Sequence, residues 1–201
     1  KRVAYQGETL ELPLPDGPGK ALKLMLAPVQ ERMPIYIAAI GPKNTQLVGE
    51  IADGWLPIFF SPERARETFP APFTRDEGFD IAPAVPALVS DDLEDARDAL
   101  RAYYALYVGG MGARGQNFYN DLVSSYGYEA EAKTIQDLFL DGKQRDAAAA
   151  VPDALIDEMA LVGSRDRIAD RLEAWRESGA TTILVSTHDL ATLRAVAEAS
   201  T

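Results

Sequence analysis

Residues 35–39 are apolar without a break, and the run ends on two alanines. Continuous apolar strands of this length are typical of parallel sheets buried on both faces. From Asn44 the spacing changes. Leu47, Val48, Ile51 and Ala52 recur three and four apart, predicting a helix over 44–52, and Gly54 stands where a helix C-terminus favours glycine. Residues 54–60 form a second apolar run, and Ser61-Pro62-Glu63 has the hydroxyl, early proline and acid of a helix start. Residues 81–89 predict a third strand in spite of Pro83 and Pro86. Asp91 and Glu94 then have capping-box spacing, ahead of a helical stripe of Ala96, Leu100, Tyr103, Tyr104 and Tyr107. Helices are predicted over 129–140, 153–161 and 164–177, followed by a β-branched strand over 181–186 and a helix over 189–199. Upstream, residues 3–14 alternate around Gly7 as a small hairpin, "PDGPGK" reads as an exposed turn, and 22–26 as extended chain.

Alternating strands and helices define an α/β class with a mainly parallel sheet. Four strand–helix units are visible, with one long helical insertion before the last strand. They fit either the C-terminal half of a TIM (β/α)8 barrel, whose usual size is ~250 residues, or a small doubly wound sheet. The chain opens at Lys1 inside a strand-like phrase, "KRVAYQGETLELPLP". We therefore expect a piece of a longer polypeptide, which favours the half barrel, and read 1–201 as a single α/β domain lacking strands one to four.

Composition narrows the function classes. Among 201 residues, 47% are hydrophobic, enough for a sizeable core, and the net charge of −11 opposes broad contact with a phosphate backbone. The chain has no cysteine and one histidine, which excludes thiolate chemistry and a multi-histidine metal site. No apolar run reaches the ~20 residues of a membrane helix. The expectation is a cytoplasmic protein with a small-molecule substrate and neither metal, nucleic acid nor membrane as partner.

In both candidate architectures ligands sit at the C-terminal ends of the strands. "AAIGPKN" occupies that place after residues 35–39. Ala38 and Ala39 leave room for a flat ring or a phosphate near the backbone, and Gly41 permits a positive φ. The following helix start offers the amides of Lys43 and Asn44 and the positive end of its dipole. Lys43 adds a charge; Pro42 removes one donor. By spacing alone, a plain tight turn with close packing accounts for these residues at least as well.

Other candidates have simpler readings beside them. Gly110-Met111-Gly112-Ala113-Arg114-Gly115 matches G-x-G-x-x-G, with Glu129 near the place of a ribose-binding acid, but a helix rather than a strand precedes it. A helix end with a loop is the better reading, and that loop could bring Arg114 to an acidic cofactor tail. His188 follows the last strand, where barrels carry chemistry, yet with Asp189 it also fits a helix cap. Gly163-Ser164-Arg165 could hold a phosphate, and Ser164 as an N-cap explains it without one. "DAAAAV" is helix-forming, and Tyr103, Tyr104 and Tyr107 read as core or an oligomer contact.

The combination "PIYIAAIGP", "ADGWLP" and "SPE" resembles the C-terminal half of the luciferase-like monooxygenase superfamily, closest to its actinobacterial flavin- and deazaflavin-dependent oxidoreductases. The early Y-x-G-E phrase, "YVGGMGARGQNFYNDL" and "LVGS…RIADRLEAWRESGATTILV" extend that resemblance over nearly the whole chain. It implies a TIM barrel and, for many members, coenzyme F420, a deazaflavin that accepts or donates hydride. It also implies that Ala38, Ala39, Ile40, Gly41 and Pro42, with Lys43 and Asn44, lie against the cofactor's ring, ribityl chain or phosphate. Asp53-Gly54-Trp55 matches the family's entry to the sixth strand and reads as structural. The residues flanking the reactive ring, including a typical non-prolyl cis peptide, belong mostly to the absent N-terminal half, so no catalytic residue is assigned. The expectation is an F420-dependent oxidoreductase acting on an unidentified organic substrate. The alternatives are an FMN enzyme using molecular oxygen and a non-catalytic truncated barrel serving in binding or assembly. Open sheet edges at the missing half would make the chain a homo-oligomer.

Overall fold

The structure is a computed structural model describing residues 2–23 and 25–200. Leu24, within the stretch expected to be extended, lies outside the described residues, and the neighbouring Leu22, Met25 and Leu26 belong to no strand. The chain divides after Met33 into two compact units.

In the first unit, β1 (Tyr5–Gln6) and β2 (Glu11–Leu12) pair antiparallel, Tyr5 opposite Leu12. This is the expected hairpin. Gly7 lies in its turn, where a Cβ would fall 2.7 Å from the exposed Tyr5 ring and displace it.

The second unit carries the parallel strands. β3 (Tyr36–Ile37), α1 (Pro42–Ile51), β4 (Gly54–Trp55), α2 (Ala65–Thr68), β5 (Asp80–Ile81) and β6 (Ala84–Val89) follow in order. Then come α3 (Leu93–Ala105), α4 (Phe118–Val123), α5 (Glu129–Leu140), α6 (Gln144–Ala149), α7 (Asp153–Met159), β7 (Leu161–Gly163), α8 (Arg165–Glu177), β8 (Leu184–Ser186) and α9 (Leu190–Ala199). Among the described residues β3–β4–β5 form one parallel ladder and β7–β6–β8 another. The run from β5 through β6 serves both. The Ala84 amide donates to the Pro57 carbonyl, and the Leu184 amide donates to that of Pro83, each at 2.9 Å. Pro83, which has no N–H, marks the break between the two strands. The α/β class with a parallel sheet is as expected.

One sheet face packs on helices. Trp55, Ile81, Val85 and Ala87 are buried there, and each large apolar side chain so placed stabilises the fold by roughly 1.5–3 kcal/mol. The opposite face starts with the row Tyr36–Gly54–Asp80, in which the Tyr36 hydroxyl donates to Asp80 at 2.9 Å. A Cβ on Gly54 would fall 2.3 Å from the Tyr36 ring, so only glycine fits below it. Tyr36 and Leu184 remain 41% and 42% exposed.

Several local expectations change. Asp92, not Asp91, caps α3, accepting from the amides of Glu94 at 2.9 Å and Asp95 at 3.3 Å, because Ser90 turns the chain one residue later by accepting from the Asp92 amide. The second predicted strand is regular only at Gly54–Trp55; beyond it Phe59 takes a left-handed φ of 56°. Ser61 begins a turn, its hydroxyl accepting from the Arg64 amide at 3.2 Å, and the helix starts at Ala65. The helix expected over 153–161 stops at Met159, and Leu161–Gly163 leaves it to pair with β6 as a strand the apolar pattern concealed.

Candidate functional site

The loop after β3 opens onto a cavity of about 260 Å³. Ala38, Ala39, Ile40, Gly41 and Asn44 contribute to its lining, opposite Leu56, Ile58, Phe118 and Tyr119. Pro42 and Lys43 do not line it and are exposed. The buried Trp55 indole N–H donates to the Ala39 carbonyl at 2.8 Å, tying the loop to the core. Gly41 is the N-cap of α1 with φ −82° and ψ 145°, an extended conformation open to any residue. The positive φ allowed for it is therefore not used. A Cβ at Gly41 would sit 3.5 Å from the Phe118 ring, in ordinary contact. No side chain caps α1, because its N-cap residue is Gly41, and the Thr45 hydroxyl donates back to the Gly41 and Pro42 carbonyls at 3.2 and 3.0 Å. The first-turn amides are left facing outward at the positive end of the helix dipole.

A second cavity of about 490 Å³ adjoins at Ile58, which lines both. Its walls include Ala84, Pro86, Leu100 and Tyr103, with Ser186, Thr187 and His188 where β8 ends. An aromatic cluster joins the two. Phe59 lies 5.3–5.9 Å from the ring centres of Tyr103, Tyr107 and Tyr119, and Tyr107 is 4.8 Å from both Tyr103 and Tyr119. The left-handed Phe59 is held by the buried Tyr126 hydroxyl, which donates to its carbonyl at 3.0 Å. Burial, reinforced by the neighbouring phenols of Tyr107 and Tyr119, pushes the Tyr103 pKa up to about 12, so its hydroxyl stays protonated at neutral pH. Below Phe59, Glu158 accepts from Ser61 at 2.6 Å, Arg64 at 2.8 Å and Tyr128 at 3.0 Å. That network fixes the chain where it leaves the sheet.

The remaining candidates serve the scaffold. The glycines of residues 110–115 follow a helix and a π-turn at Leu106–Gly110, not a strand, and a Cβ on Gly112 would lie 2.3 Å from the Gln116 carbonyl. Asn117, buried, closes this loop: its amide donates to the Tyr107 and Val108 carbonyls at 2.9 and 3.0 Å, and its oxygen caps α4. Arg114 is paired with Asp137 at 2.9 Å. Ser164 caps α8 and Asp189 caps α9, as expected. Of the tyrosines, Tyr104 is core, while Tyr103 and Tyr107 are half-buried in the aromatic cluster. Spacing did not single out Ile58, Phe118, Tyr119 or Asn117. The sequence signal for Phe118, Tyr119 and Asn117 is the aromatic-amide phrase "NFYN", placed in the insertion far from the loop it faces, and Ile58 is one of several apolar residues in the run 54–60. Among the described residues, no group of three His, Cys, Asp or Glu side chains is placed to hold a metal ion, and no helix is long and apolar enough to cross a membrane.

The luciferase-like monooxygenase family model matches residues 1–182. The chain belongs to this family. It is 36% identical over 197 residues to the Mycobacterium tuberculosis protein named "Putative coenzyme F420-dependent oxidoreductase Rv3520c", covering 92% of this chain and 57% of that protein. It is 27% identical over 191 residues to the 5,10-methylenetetrahydromethanopterin reductase of Archaeoglobus fulgidus, covering 92% of this chain and 54% of that one. Among solved structures, the coenzyme F420-dependent tetrahydromethanopterin reductase of Methanopyrus kandleri superposes with a TM-score of 0.58 at 22% identity, over 82% of this chain and 48% of that one. The chain thus spans about half the length of the relatives it matches, and the luciferase-like resemblance is borne out.

Proposed function

We propose that this chain belongs to an oxidoreductase that seats coenzyme F420 along residues 38–44 and passes hydride between that deazaflavin and an organic substrate. The observation that carries the reading is the cavity lined by Ala38, Ala39 and Gly41 beside an uncapped helix start. The donor set fits such a group. One-carbon side chains admit a planar ring to the backbone, while Leu56, Ile58, Phe118 and Tyr119 offer apolar and aromatic walls. The Asn44 amide and its neighbour at Lys43 suit an anionic oxygen, and the exposed Lys43 adds charge at the rim. At about 260 Å³ the cavity is below the ~300–1,000 Å³ of whole ligand sites. It therefore takes only part of the cofactor. Bound there, a deazaflavin supplies two-electron hydride chemistry. Trp55 holds the loop still by its bond to Ala39, and the Phe59 cluster keeps the inner wall dry.

The same reading makes the chain the C-terminal half of a (β/α)8 barrel. Support comes from the parallel strand order and from the sheet face opposite the helices, which leaves Tyr36 and Leu184 exposed. The greater length of the relatives agrees.

Spectral titration with F420 and with FMN tests the cofactor. Saturable perturbation of the F420 spectrum, with none for FMN, supports the proposal. Binding of FMN alone would replace the deazaflavin by a flavin, and binding of neither would favour the non-catalytic alternative.

A further inference from the structure

The second cavity has features that the cofactor reading does not use. Its volume of about 490 Å³ lies within the range of small-molecule sites. Ile58, Ala84, Pro86, Leu100 and Val185 make it mostly apolar, and none of its lining residues is Asp, Glu, Lys or Arg. A charged group entering this space would lose water without meeting a countercharge, which is strongly unfavourable. An apolar body meets no such penalty. Apart from the Tyr103 hydroxyl on α3, the polar side chains of the lining are Ser186, Thr187 and His188, which follow one another at the C-terminal end of β8.

That end is held in place by its own capping bonds. The Thr187 hydroxyl accepts from the Asp189 amide at 3.2 Å, and the Asp189 carboxylate accepts from the amides of Ala191 and Thr192 and from the Thr192 hydroxyl. Thr192 in turn accepts from the Val89 amide at 2.9 Å, anchoring the cap to β6. Asp189 is thus occupied by the helix it caps, and the His188 ring makes no hydrogen bond or ion pair among the described residues. Imidazole and hydroxyl together can donate to or accept from a single neutral oxygen.

We propose that this cavity is the substrate compartment, and that it takes a neutral, mainly apolar molecule whose one hydroxyl or carbonyl oxygen is held at the Ser186–His188 rim. Placing it as the substrate's compartment rests on the reading of residues 38–44 as the cofactor's seat, from which Ile58 separates it. The ligand class rests on the lining alone.

His188 is the chain's one histidine, so ¹⁵N-histidine labelling yields a single imidazole to follow by NMR. Cyclohexanol is titrated into the protein without cofactor, with cyclohexanecarboxylate and cyclohexylammonium as charged controls. Cyclohexanol is expected to move the imidazole signals saturably, with each control needing at least tenfold higher concentration. Leu100→Trp, which fills the cavity, should weaken the cyclohexanol response at least tenfold, and Ser186→Ala should weaken it severalfold. Ala84→Leu replaces Leu100→Trp if that variant does not fold. Unmoved signals, equal responses to the controls, or an undiminished response in a folded cavity-filling variant would overturn the proposal. A persistent cyclohexanol response in a protein that binds neither F420 nor FMN would instead sink the cofactor reading and leave the ligand class standing.

Discussion

Trp55→Phe tests the coupling between core and loop. Trp55 is fully buried, packs edge-on against Phe69 at 5.2 Å and Phe60 at 5.9 Å, and its N–H donates to the Ala39 carbonyl at 2.8 Å. Phenylalanine keeps much of the packing but has no donor. Leaving a buried carbonyl unpaired costs about 1–3 kcal/mol, and the smaller ring adds roughly 1 kcal/mol of lost contact. The expected loss is therefore about 2–4 kcal/mol. In a chain of this size that lowers Tm by about 4–16 °C, measurable by far-UV circular dichroism. Because Ala39 lines the first cavity, F420 affinity should fall as well, measured at a temperature where the variant is fully folded. A melting point within a degree or two of the parent, with unchanged affinity, would refute the assigned role of the indole.

Phe118 is 63% exposed and lines the first cavity beside Gly41, so Phe118→Ala should change stability by less than about 0.5 kcal/mol. It should nevertheless weaken F420 binding severalfold in a fluorescence titration, and equal affinities would remove the aromatic wall from the account. Asp157 is partly buried, which pushes its pKa upward, but the bonds and charges of Arg97 and Arg167 outweigh this and hold it below the ordinary 3.8. A carboxylate depressed by folding contributes stability that is complete above its unfolded value and lost as pH falls through the folded one. Asp157→Asn should therefore be less stable at pH 7, with the gap from the parent narrowing below about pH 4; a gap constant with pH in acid denaturation would contradict the pairing. The exposed sheet face at Tyr36 and Leu184 makes self-association the expected state of the 201-residue chain. Sedimentation velocity showing a stable monomer at tens of micromolar would count against the open half-barrel.

Periodic segments were legible in the sequence. Glu129–Leu140 and the α9 cap at Asp189 stand where the residues put them, because apolar spacing and a carboxylate cap act locally. Residues 38–41 and Asn44 were legible as part of a strand-end turn, for the same local reason. What faces them was not. Phe118 and Tyr119 reach Gly41 across more than seventy residues of chain, and Ile58 serves two cavities through a register that pattern alone leaves open. The strand Leu161–Gly163 was hidden because three apolar residues after a helix fit either state until β6 offers a partner. Gly41 shows the opposite error: a glycine invited a special φ, and the backbone there is ordinary.

A crystal structure of the protein soaked with coenzyme F420 tests the central claim most directly. The account expects ring density in van der Waals contact with Ala38 and Gly41, walled by Ile58 and Phe118. Density for the cofactor anywhere else, with this cavity still filled only by solvent, would contradict it.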